Sequence, residues 1–120
     1  HLVIRRQRQM CIRDRIRKMV TNQLAGDIAS LLPEGPEGFR EWMPFEGLGM
    51  GLGVWVAQDS SRLAWNSNPG EFGWGGIANT VFWIDPVSDS SVLFFTQVMP
   101  SSQLGLRVAL HRFAAEILHR

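Results

Sequence analysis

The stretch from Pro69 to Ile77, Pro-Gly-Glu-Phe-Gly-Trp-Gly-Gly-Ile, holds the residues best placed to do chemistry. It reads as a glycine-punctuated turn leading into a short strand. Gly75 and Gly76 carry no side chains, so another group can lie close along their backbone. Trp74 offers a flat apolar wall beside them. The same residues also fit a purely structural part, with Trp74 in a core and Gly75-Gly76 as a bulge. Other constellations are thinner. Asp85, Asp89, His111 and several serines are present, but nothing in the spacing sets His111 over a serine. His111 and His119 are too far apart in sequence for a metal-ligand pair, and no Cys or acid cluster completes a site. Both read as solvated histidines on a helix face. No metal or other cofactor is expected.

Composition narrows the class. The chain has 120 residues, 45% hydrophobic and 19% charged, which suits one globular domain with a single core. No apolar run reaches the ~18 residues of a membrane span. No secretory signal is read near the N-terminus. Cys11 is the only cysteine, so an internal disulfide is ruled out. The net charge of +1 conceals a split: seven Lys or Arg residues and one acid fall within residues 1–18, five Arg and ten acids after them. Any nucleic-acid reading would rest on that arm, which has no aromatic residue for stacking, so no nucleic-acid partner is expected. Gln7–Arg15 resembles translated adapter sequence. Residues 1–13 are therefore expected to be a non-native or disordered basic arm, and 14–120 the folded part.

The elements that must position the site follow from periodicity. Ile12, Ile16, Met19 and Val20 predict a turn or two of helix over 12–22. Residues 25–47 read as turns rich in Pro and Gly, with a short helix near Asp27–Leu32. Residues 47–57 alternate glycine with large apolar groups, which predicts one strand with a bare face that another backbone can approach. This alternation is not a dinucleotide fingerprint. Strands are expected at 72–77, 79–84 and 91–97, the last two apolar on both faces and so covered on both sides. Asp85–Ser90 is short enough for an antiparallel hairpin, with Asp85 capping its turn. Ser101 or Ser102 should cap an amphipathic helix running to residue 118. The fold class is α+β: an antiparallel sheet with a C-terminal helix packed on it. The predicted core is Leu52, Val54, Phe82, Ile84, Leu93, Phe95, Leu106, Leu110, Phe113 and Ile117, with Trp55 and Trp83 also read as core.

Several separated stretches, in order, resemble the C-terminal part of the serine β-lactamase-like superfamily, nearest its class C β-lactamase and esterase branch. They are Met19–Leu24, Gly47–Val54, Gly70–Gly76, Thr80–Pro86, Phe94–Pro100 and Leu106–Leu110. The resemblance covers nearly everything after Asp14. It implies one part of a β-lactamase-like α/β sandwich and a serine acyl-enzyme mechanism. In that family the nucleophile is the Ser of S-x-x-K, helped by a Tyr- or Ser-led second motif. This chain has no Tyr, and its only Lys, Lys18, has no Ser three residues before it. Trp74-Gly75-Gly76 stands where many members have K-T-G, and the N–H of Ile77 would be one of two oxyanion donors. The site residues implied are thus Trp74, Gly75, Gly76 and Ile77. Losing the K-T-G cation favours a neutral ester or amide over a β-lactam-like substrate in the full-length parent. The chain alone is expected to be inactive, and as a fragment to expose an unpaired apolar sheet edge and face and to aggregate. The alternative is a non-catalytic β-rich interaction module, which should melt cooperatively.

Overall fold

A computed structural model describes residues 2–31, 45–99 and 105–118. At its centre lie five strands in sequence order: β1 (Leu48–Met50), β2 (Trp55–Ala57), β3 (Phe72–Gly75), β4 (Val81–Asp85) and β5 (Ser90–Phe94). Each pairs antiparallel with the next. Two helices precede the sheet, α1 (Leu2–Met19) and α2 (Ile28–Leu31). A third, α3 (Leu106–Leu118), packs on one face. The architecture is α+β, with an antiparallel sheet under a C-terminal helix. α1 takes in both the basic arm and the helical turns expected over 12–22, and its side chains are exposed from Val3 to Met19. The cap at Ser101 or Ser102, the prolines at 33, 36 and 44, and His119 lie outside the described residues.

The strand expected over 47–57 is two strands. Gly53 has φ +87°, which an L side chain rarely adopts, and Gly51 N–H donates to the Val54 carbonyl at 2.8 Å. The chain reverses there and Leu52 sits exposed at the tip. The bare glycine positions do admit a neighbour. A Cβ on Gly51 would meet the Met19 carbonyl, and one on Gly49 would meet the Asn22 side chain. Asp27 fastens the same segment: Oδ1 caps α2 at Ser30 N, while Oδ2 accepts from Gly47 N and pairs with Arg62 at 2.8 Å. These hydrogen bonds, with Arg62 beside them, hold the Asp27 carboxyl below the usual range.

Among the described residues the core cluster lies on one face of the sheet, not on both, and includes Trp55 and Trp83 as expected. Leu48, Trp55, Trp65, Val81 and Trp83 form it, with Val108, Leu110 and Ala114 of α3 packed against them. Phe82, Ile84, Leu93 and Phe95 point the other way, and Leu93 is 63% and Phe95 77% exposed. Val54 and Leu106 are half-buried, and Phe113 and Ile117 are exposed on the outer side of α3. Leu110 does pack against the core. The reason is steric. β4 is apolar at both parities, so its alternation does not choose a face. Gly73 chooses it: a Cβ there would meet the Phe82 carbonyl, Trp55 Cζ2 at 2.8 Å and Trp83 Cα at 2.9 Å. Only a bare position lets the Trp55 indole lie against the strands, and α3 closes over that side.

Two hairpin turns complete the sheet. Between β3 and β4, Gly76 N–H donates to Thr80 O at 2.8 Å and Asn79 N–H to Gly76 O at 3.1 Å. Asn79 sits at φ 64°, the left-handed position that ends a three-residue hairpin loop. Between β4 and β5, Asp85 caps the turn as expected. Its carboxylate accepts from Val87 N (2.9 Å), Ser88 Oγ (2.6 Å) and Asn68 Nδ2 (2.7 Å). Burial alone would raise the Asp85 carboxyl, but these bonds outweigh it and hold the group low.

Two outcomes test this account. Gly73→Ala should cost about 1–3 kcal/mol or more by overpacking, whereas Gly76→Ala, whose Cβ would meet nothing within 4 Å, should be near neutral in urea melts. The Asp85 contribution should be complete above pH ~3.9 and lost as pH falls through the group's lowered value. Asp85→Asn should lower stability at neutral pH by about 1–2 kcal/mol and flatten the acid limb of a stability–pH curve.

Candidate functional site

β3 carries Trp74 and Gly75, and Gly76 follows it directly. Ile77 is the second residue of the turn and is exposed. The four implied residues therefore form one continuous edge running into a tight loop. β2 pairs with β3 only at Phe72 and Gly73. From Trp74 onward, the β2 side of β3 has no strand beside it among the described residues. Trp74 pairs with Phe82, and Phe82 with Leu93, so these side chains make an apolar row across the open face. An open hollow of about 290 Å³ lies along this row, bounded by Trp74, Gly75, Gly76, Phe82, Leu93 and Phe95. Gly76 has free space in front of it. The arrangement offers a bare strand edge beside an apolar recess.

On the other face, Arg107 of α3 reaches the same glycines. Its Nη2 donates to Gly76 O at 3.2 Å, and a Cβ on Gly75 would lie 2.8 Å from that nitrogen. Burial lowers the Arg107 pKa, yet a guanidinium stays charged in a protein. A cation thus stands behind the glycine edge although the edge itself has none. The helix periodicity did not single out Arg107, because a polar residue beside Leu106 and Val108 reads as solvent-facing.

His111 is the second residue that sequence reasoning misplaced. It is 4% exposed, not solvated. Its ring stacks on Trp83 at 3.8 Å between centroids and on Trp65 at 4.5 Å. Nδ1–H donates to the Arg107 carbonyl at 2.9 Å, and Nε2 lies 3.3 Å from Glu71 Oε1. Trp65 Nε1–H points to the same Glu71 oxygen at 3.4 Å. The imidazole thus meets a carbonyl, a carboxylate and two indoles, and forms no hydrogen bond with a serine hydroxyl among the described residues. A Ser-His-Asp relay is not assembled here. The knot holds α3 to the sheet: β4 supplies Trp83, the loop before β3 supplies Trp65 and Glu71, and α3 supplies the ring.

Among the described residues no group of three or more His, Cys, Asp or Glu could hold a metal ion. None of the described helices is long and apolar enough to cross a membrane. No protein-family model matches the chain, and no curated protein matches it significantly.

The knot yields its own expectation. His111→Ala should cost about 2–4 kcal/mol, because it empties a stacked site and strips Glu71 of its facing nitrogen. His111→Phe keeps the stacking but not the polar contacts, so it should recover only part of that loss in the same denaturant series.

Proposed function

We propose that this chain is the C-terminal part of a serine hydrolase of the β-lactamase-like superfamily. In this reading its sheet and α3 belong to the family's α/β sandwich. The observation that carries the reading is the position of Trp74-Gly75-Gly76-Ile77. That segment leaves β3 at an edge without a neighbouring strand and beside an apolar face that no described element covers. A site built of a wall and backbone donors, with no nucleophile of its own, suits one half of an acyl-transfer centre. The other half would bring the Ser and Lys of S-x-x-K and a Tyr-led motif.

Each residue then has a physical part. Gly76 leaves room for the acyl group to lie along the strand, while the space beside Gly75 is taken by Arg107. Ile77 N–H would face the developing oxyanion, together with the N–H of the nucleophile. Trp74 flanks the leaving or acyl group with apolar surface and brings no charge. Arg107 donates to the Gly76 carbonyl from behind and steadies the turn that aims Ile77. With an uncharged wall, the reading favours neutral esters or amides over β-lactam-like substrates.

The test begins with the reading frame upstream of the codon for Asp14. An in-frame S-x-x-K followed by a Tyr-led motif is expected, and the extended protein should react with a fluorophosphonate probe at that Ser. In the extended protein Gly76→Val should lower kcat/KM by about 10²-fold by displacing the substrate, while the melting temperature stays unchanged. A start codon near Met10 or Met19 with no such frame would remove the hydrolase reading and leave the interaction module.

A further inference from the structure

Ile77 N–H shares one peptide group with the Gly76 carbonyl. That bond precedes no proline, so it is trans and flat, and its N–H and C=O point in opposite directions. Two donors meet the two lone pairs of the carbonyl oxygen. Asn79 N–H donates to it at 3.1 Å from within the turn, and Arg107 Nη2 donates to it at 3.2 Å from α3. The Ile77 N–H therefore points away from the guanidinium.

The contact is written into the sequence at a second position. A Cβ on Gly75 would lie 2.8 Å from Arg107 Nη2, 2.9 Å from Cζ and 3.3 Å from Nε. Those three atoms span the guanidinium, so the group lies against the bare Gly75 backbone as it reaches Gly76. Gly75 is not among the glycines with positive φ, so space and not backbone conformation calls for glycine there. One glycine admits the cation and the next receives its hydrogen bond. The other end of the residue is held too: His111 Nδ1–H donates to the Arg107 carbonyl at 2.9 Å, and the imidazole is stacked between Trp83 and Trp65.

We infer that Arg107 polarises the Gly76–Ile77 peptide, making the Ile77 N–H a stronger hydrogen-bond donor as well as an aimed one. A cation on the carbonyl oxygen draws the electrons of the amide toward oxygen. The nitrogen and its hydrogen become more positive. Hydrogen bonds chained through one group strengthen each other by about 10–30% per bond. Applied to the roughly 10²- to 10³-fold that one oxyanion donor supplies, this amounts to roughly 2- to 8-fold in rate. The gain appears only as charge develops on the substrate, so it falls on kcat and not on KM. Arg107 acts through this peptide and is a positioning residue. The polarisation rests on the contact itself, whereas its use in catalysis rests on the hydrolase reading.

Nuclear magnetic resonance can observe that peptide alone. Gly76–Ile77 is the only Gly-Ile step in the chain. Carbon-13 at the glycine carbonyls combined with nitrogen-15 on isoleucine therefore gives a single bonded carbonyl–nitrogen pair in the spectrum of the full chain. Arg107→Met should move both nuclei upfield, the direction of a weaker bond at the carbonyl. Gly75→Ala should do the same, because its Cβ displaces the guanidinium with the Arg107 side chain still present. Arg112→Gln removes an exposed cation from the same helix and should leave the pair where it was. A pair unmoved by Arg107→Met and Gly75→Ala, or moved as far by Arg112→Gln, would overturn the inference. In the extended protein, Arg107→Met should lower kcat by roughly 2- to 8-fold at constant KM. A raised KM at constant kcat would overturn the catalytic part. If the labelled pair responds but the extended protein performs no acyl transfer, the hydrolase reading falls and the polarisation stands.

Discussion

The seat of two indoles and an imidazole over a bare strand position governs the rest of this structure. Gly73 leaves a hollow on the sheet that Trp55 fills. Trp83 rises from β4 beside it, and His111 of α3 lies flat on Trp83. Offset ring stacking fixes orientation more sharply than aliphatic packing does. It sets the roll of α3 about its axis, and hence which helix residues look inward. Arg107 and Ala114 then face the sheet while Phe113 and Ile117 do not. Through Arg107 the same constraint reaches the Gly75-Gly76 edge on which the proposed chemistry rests. Glu71 closes the arrangement by facing both Trp65 and His111.

Much of the architecture was legible in the sequence. Glycine, proline and Asx punctuation marked the hairpins: Asp85 caps its turn, and the short link to Ser90 makes an antiparallel pair. What stayed hidden was the choice of face. β4 reads Val-Phe-Trp-Ile-Asp, which is apolar at both parities, so a period of two does not tell inside from outside. In α3, His111 was assigned to solvent on type alone, and Arg107 was not singled out. That rule fails where an aromatic surface and a buried acid are waiting for a flat, hydrogen-bonding ring. The break between β1 and β2 was missed because alternating glycines also fit a continuous strand, and only the positive φ of Gly53 shows the reversal. Trp74 and Gly75 were located on their strand, whereas Ile77, also expected there, lies in the turn; the segment's chemical role came from resemblance, since a glycine edge has no signature of its own.

The two faces of the sheet also divide the labour. One is complete, with indoles, α3 and the buried Glu71–His111 pair. The other carries Phe82, Leu93 and Phe95 without a cover among the described residues. A sheet with one finished and one open side is a partial solution to burying apolar surface. The bare edge at Gly75 and the recess beside it belong to the unfinished side. Any partner that completes the apolar layer therefore also approaches the backbone of the glycine edge, which couples completion of the fold to completion of the site.

The grouping of tryptophans has an optical consequence. Trp55, Trp65 and Trp83 are buried around one imidazole, whereas Trp74 stands on the open face. A stacked histidine is an effective quencher of indole emission. Lifting α3 from the sheet would therefore brighten the buried set and shift its emission to the red, while covering the open face would shift Trp74 to the blue. The tryptophans of the described residues are thus separate built-in dyes for the two sides, and their opposite spectral movements distinguish a helix that detaches from a partner that arrives.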